Sequence, residues 1–172
     1  MVHIFGDKDI FAIEFNLYEF SVPYGSVIVW HEGLELGTRF GGGEMLGYFN
    51  SVLKDLENKD FLFRHFEKFK DSNLTGKKFW DSFYHSRYKL SGSETFDEYS
   101  SIVFFDKKSY IVYWRKEHDT FKPNLGVNKN VTYRFEIEAS YFENVIKRAI
   151  VLLDSLYPIW ESLKKSLPTA GT

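Results

Sequence analysis

The chain contains no cysteine. That absence excludes a disulfide framework, a thiol nucleophile and every zinc site that depends on sulfur. It agrees with a reducing compartment without requiring one. Proline is scarce, at 4 of 172 residues, so few positions are barred from regular structure. Long apolar runs are missing too: none approaches the roughly 18 to 20 residues of a membrane-spanning helix. Near the start, Asp7, Lys8 and Asp9 interrupt any apolar stretch. No targeting segment is therefore expected, no membrane association, and cytoplasm is the default location. Asn73-Leu74-Thr75 and Asn130-Val131-Thr132 fit the glycosylation sequon and, without a secretory signal, read as coincidence.

Aromatic rings are plentiful. They make up 19% of the chain, with 18 Phe and 11 Tyr. Phe belongs mostly in a core, whereas Tyr and Trp join an apolar body to a polar handle and suit edges and interfaces equally. The length predicts one domain able to bury a core without disulfide or metal. Net charge is only −2, but it is unevenly placed. Acids dominate up to Asp60, and Phe61 to Lys89 reverses the sign. The pattern fits two solvated faces, or an acidic surface that steers a basic partner.

Hydrophobic periodicity orders the elements. From Phe11 the apolar residues Phe11, Ile13, Phe15 and Leu17 alternate with Ala12, Glu14, Asn16 and Tyr18, which predicts a half-buried strand. Pro23-Tyr24-Gly25 marks a turn, and Ser26 to His31 reads as a second strand. Glu32-Gly33 is a tight-turn signal before a third strand from Leu34 to Phe40. Gly41-Gly42-Gly43 ends the sheet, and Glu44 is expected to open a helix carrying Met45, Leu46, Phe49, Val52, Leu53 and Leu56 inward. Two short helices follow, around Phe61 to Phe69 and Phe79 to Tyr88, with Asn73 to Gly76 between them. Ser91-Gly92-Ser93 is a loop. Ser100 to Phe105 and Tyr110 to Trp114 form a hairpin about Asp106 to Ser109. After a polar loop through Pro123, Asn124, Gly126 and Asn128, Val131 to Glu138 alternates cleanly. The last helix is expected to start with a capping box, Ser140 with Glu143. Pro158 should kink or end it, although Trp160 and Leu163 extend its pattern. The tail from about residue 168 reads as loose.

Strands, helices, strands and a helix in that order predict a single α+β domain over residues 1–172. Its largely antiparallel sheet would have about six strands, with helices packed on one face and a long C-terminal helix.

Reactive constellations are hard to find. His3, His31, His65, His85 and His118 are never three to five residues apart, so each reads as a surface or edge residue and no metal site is expected. His118-Asp119 could be an oriented base only if the two side chains met. Gly41-Gly42-Gly43 could offer backbone donors to an anion, but Glu44 would place a carboxylate there first. Gly76-Lys77-Lys78 lacks the rest of a phosphate-binding loop. Glu136 and Glu138 share one strand face with Arg134, which would hold both ionised. Lys- and Arg-rich residues among Trp80, Phe83, Tyr84 and Tyr88 imitate a nucleic-acid platform, yet the rings fall at helical spacing and the chain is net acidic. No catalytic residue, cofactor or direct nucleic-acid contact is expected.

Phe5-Gly6-Asp7-Lys8 leading into Phe11-Ala12-Ile13-Glu14-Phe15, the Gly25 to Gly33 segment about Trp30, Leu36-Gly37 and the Met45 to Leu56 helix together resemble the start of the Imm42 family. Its members are immunity proteins of bacterial polymorphic toxin and contact-dependent inhibition systems. The likeness covers about the first third of the chain and implies a cytoplasmic, non-enzymatic inhibitor of one cognate toxin C-terminal domain. Many such toxins are nucleases with basic clefts, which an acidic surface would suit. On charge and position alone, Asp7, Asp9, Glu32 and Glu35 are candidate partner-binding acids, with Tyr24 and Trp30 as aromatic anchors. Trp30 equally suits a core position. Two other readings stay open: a small enzyme built on His118 or the Glu136/Glu138 pair, and an aromatic-rich interaction module unrelated to toxins. Oligomeric state is not legible.

Overall fold

The computed structural model describes residues 1–18, 24–37, 44–70, 76–83, 90, 99–118 and 127–166. Pro23, the end of the third strand, Gly41-Gly42-Gly43, the 73–75 sequon, Tyr84, Tyr88, Ser91-Gly92-Ser93, Asp119, the loop of Pro123, Asn124 and Gly126, and the tail lie outside them.

The strands form two antiparallel sheets, where one of about six strands was expected. The first contains β1 (Val2–Asp7), β2 (Phe11–Leu17), β3 (Tyr24–His31) and β4 (Leu34–Leu36) in that spatial order, with the two-residue β5 (Glu44–Met45) also paired to β3. Three helices follow: α1 (Leu46–Asp55), α2 (Lys59–Phe69) and α3 (Gly76–Phe83). The second sheet is β6 (Tyr99–Phe105), β7 (Ser109–Lys116) and β8 (Thr132–Glu138), and α4 (Ala139–Ser166) closes the chain. Alternation reports which face a strand buries but not which strand lies beside it. Within each set the longer strands pair with their neighbours in sequence, and α1 to α3 lie between the two sets along the chain.

Aromatic stacking ties the two sheets together. Phe142 of α4 lies between Phe11 of β2, at 4.9 Å between ring centroids, and Tyr110 of β7, at 4.2 Å. His31 of β3 stacks on Phe135 of β8 at 3.8 Å. Around these rings Ile13, Phe15, Val29, Phe49, Leu53, Val112, Val145 and Leu153 complete the core. Helix α4 packs on both sheets and on α1, and α2 packs on β6.

Five local expectations change. β1 precedes the predicted first strand and makes it an inner strand, so β2 is buried on both faces, Ala12 and Glu14 included. Glu44 and Met45 pair with Gly25 and Tyr24 of β3, so α1 starts at Leu46 and has no acid in its first turn. The cap of α4 is Glu138, whose carboxylate accepts from the Ser140 and Tyr141 amides, both at 3.0 Å, and from the Ser140 hydroxyl. Glu143 instead binds Lys59 at 2.6 Å. Pro158 neither ends α4 nor lies against the core; it is exposed, where water can take the carbonyl left without a donor. Finally, His31 is no surface residue, as described below. The predicted core role of the middle rings holds for Trp80, which is buried, and for Phe79, which packs against the core.

Candidate functional site

One end of the first sheet gathers most of the acids singled out by charge. Lys8-Asp9-Ile10 turns β1 into β2, with the Ile10 amide donating to the Asp7 carbonyl at 3.1 Å and the Asp9 amide to the Asp7 carboxylate at 2.9 Å. Glu32-Gly33 turns β3 into β4. Both of these residues are left-handed, at φ 48° and 76°, the geometry that matches strand twist in a two-residue hairpin. The two turns lie side by side: the Gly33 amide donates to the Lys8 carbonyl at 3.0 Å and the Glu32 amide to the Ile10 carbonyl at 3.4 Å. Asp7, Asp9 and Glu32 are exposed at this tip. Glu35 lies just behind, directly across from Trp30.

The only base of the first turn points away from this tip. Lys8 Nζ sits 2.6 Å from Glu14 Oε2 and 4.0 Å above the Trp30 ring centroid. Trp30 Nε1 donates to the same Glu14 oxygen at 3.0 Å. Glu14 is 3% exposed. A buried carboxylate needs such partners to offset its lost hydration. The same contacts draw the lysine charge inward and leave the tip acidic. Trp30 is half-buried, its indole engaged within the sheet face. Tyr24 is 41% exposed but sits at the opposite end of β3. Six residue steps along the strand separate it from Trp30, about 20 Å by strand geometry. The fold thus brings Asp7, Asp9, Trp30, Glu32 and Glu35 together and leaves Tyr24 apart.

Alternation assigned Glu14 to the solvent side and gave no sign of its role. The covering of that face is a tertiary property. His31 was likewise hidden: it is 3% exposed, its Nδ1 has no hydrogen-bond partner, and burial pushes its pKa down to about 4.

The remaining candidates for chemistry disperse. Glu136 pairs with Arg134 at 3.1 Å, Glu138 caps α4, and His118 is exposed. A cavity of about 200 Å³ opens between the α1–α2 junction and α4, lined by none of these three. Within it Glu143 binds Lys59 at 2.6 Å and accepts from the Tyr110 hydroxyl at 3.4 Å. Burial and Glu143 together raise the Tyr110 pKa, so this phenol keeps its proton. Among the described residues no three of His, Asp and Glu converge as a metal site requires, and no helix is long and apolar enough to cross a membrane.

No family model matches the sequence, and no curated protein matches it. Among solved structures, the fold is similar to CdiI from Burkholderia dolosa AUO158, with a TM-score of 0.52 at 14% identity. The alignment covers 87% of this chain and 99% of that one. At such identity the likeness is one of fold.

Proposed function

We propose that this chain is an immunity protein that binds a cognate toxin domain in the cytoplasm and neutralises it by covering its active site or substrate channel. The observation that carries this reading is the fold likeness to CdiI, a contact-dependent inhibition immunity protein, across nearly the whole of both chains. Proteins of that kind bind a cognate CdiA toxin domain. The Imm42-like opening points the same way and falls on β1 to α1, the part of the fold that carries the acidic tip. The chain itself acts without turnover. Its partner is a toxin C-terminal domain with a basic cleft, of which a nuclease is the leading case. Asp7, Asp9, Glu32 and Glu35 attract that cleft and bar its substrate by occupying it, with Trp30 packed behind them.

The test is co-expression with the toxin domain encoded beside this gene. Cells producing both should grow, and a tag on either protein should retrieve the other as a stoichiometric complex. Growth arrest despite full expression, with no complex recovered, would reject the reading.

A further inference from the structure

The end of β1 is held by the last helix, although 134 positions separate the two residues involved. The Asp7 amide donates to the Tyr141 hydroxyl at 2.7 Å, and that hydroxyl donates to the Phe11 carbonyl at 3.3 Å. Asp7 and Phe11 face each other in the β1–β2 register, so the phenol spans the last rung of this ladder.

Two features let α4 come so close. Gly6 is left-handed, at φ 98°, and a Cβ there would lie 2.2 Å from the Phe11 carbonyl oxygen and 3.0 Å from Val145 Cγ2. Only glycine fits between β2 and α4 at that point. Val145 is one helical turn beyond Tyr141, so the tyrosine ring arrives at the end of the ladder. The Glu138 carboxylate accepts from the Tyr141 amide at 3.0 Å and fixes the first turn of the helix.

Asp7 is the anchor of the turn that follows it. Its carbonyl accepts from the Ile10 amide and its carboxylate from the Asp9 amide. The second turn rests on the first, because the Lys8 and Ile10 carbonyls accept from the Gly33 and Glu32 amides. The exposed acids Asp7, Asp9 and Glu32 are thereby tied to one hydroxyl on α4.

We propose that Tyr141 is a positioning residue for toxin binding, its hydroxyl setting the angle at which the acidic tip meets the partner. This role rests on the toxin reading given above. Tyr141 adds no charge at neutral pH, so it leaves long-range attraction alone. It acts by removing freedom from the tip before the partner arrives, and its effect falls on the lifetime of the complex.

Tyr141→Phe tests this, since it deletes one hydroxyl and no charge. In the free protein, hydrogen exchange at the Asp7 amide should quicken about tenfold, while the Val29 amide in mid-sheet stays as it was. With the toxin domain, the association rate should stay within about twofold and dissociation should be about tenfold faster. Tyr48→Phe, which removes an exposed hydroxyl on α1, should alter neither rate. Unchanged exchange at Asp7 overturns the proposal at its structural step. A lower melting temperature with an unchanged dissociation rate makes the hydroxyl merely structural and overturns it at its functional step, as does a change confined to association. A wild-type chain that does not bind the toxin domain rejects the toxin reading before any variant is compared, and removes this role even where exchange at Asp7 quickens.

Discussion

Two buried polar side chains decide much of this protein's behaviour at the residue scale. His31 is held neutral between the sheets, with its pKa at about 4 against an ordinary 6.5. The unfolded chain takes up that proton first as pH falls, so the contribution is complete above pH 6.5 and is lost toward pH 4. The full loss is about 3 kcal/mol. In a pH series the stability of the wild type should therefore fall relative to that of His31→Phe, which keeps a ring stacked on Phe135, as the solution is acidified. A wild-type minus variant difference that stays constant with pH would contradict this. Glu14 is the second case. Glu14→Ala removes the acceptor of Trp30 Nε1 and the anion that Lys8 pairs with, and should cost about 2 kcal/mol in urea unfolding. Glu14→Gln, which keeps an acceptor for the indole, should cost less. Neither role was legible in the sequence. A lone histidine at a strand end and a glutamate in an alternating pattern look alike whether solvent or another layer covers them.

At the scale of the element, the sequence was most informative where the period was longest. The strand at residues 132–138 buries Phe135 and Ile137 and exposes its alternate residues, as the alternation predicted. The apolar stripe of the last helix buries Phe142, Val145, Ile146, Ala149 and Leu153. Boundaries were less secure, because the start of an element depends on which neighbour claims its backbone. Residues 44 and 45 look like the first turn of a helix until β3 offers them a ladder. The cap of α4 is similar: Ser140 and Glu143 have the capping-box spacing, but Glu138 reaches the same amides from the strand end. Hydrogen bonds from the Ser140 hydroxyl and from the Ser140 and Tyr141 amides hold the Glu138 carboxyl below its ordinary pKa. Its support for the helix is thus in place above the carboxylate range and fades as acid protonates it. Glu138→Ala should lower the melting temperature near neutral pH by more than Ser140→Ala, with the gap closing in acid. Equal melting temperatures for the two variants at neutral pH would return the cap to Ser140.

For the whole molecule, the central consequence is electrostatic. Docking of the two hairpin turns places Asp7, Asp9 and Glu32 on one tip, while Lys8 is drawn toward Glu14. Reversing Glu32 and Glu35 to lysine should slow association with a basic toxin domain about tenfold at low salt, with the effect shrinking as salt is added. Stopped-flow binding at two ionic strengths measures it. Tyr24→Ala, at the far end of β3, should leave that rate unchanged. An unaltered rate in the double reversal would remove the acidic tip from the encounter surface.

By itself the sequence determined the class of the fold, the order of its elements, the buried stripes of its helices and the acidity of its first sixty residues. These are properties of neighbours along the chain, where side-chain period and local charge suffice. Only the tertiary structure decided that the strands divide into two sheets, that α4 joins them through Phe142, and that Glu14 and His31 are buried. It also placed two hairpin turns from separate stretches of chain at one tip. Such outcomes depend on contacts between residues distant in sequence, and no periodicity along the chain specifies which of several apolar surfaces will meet.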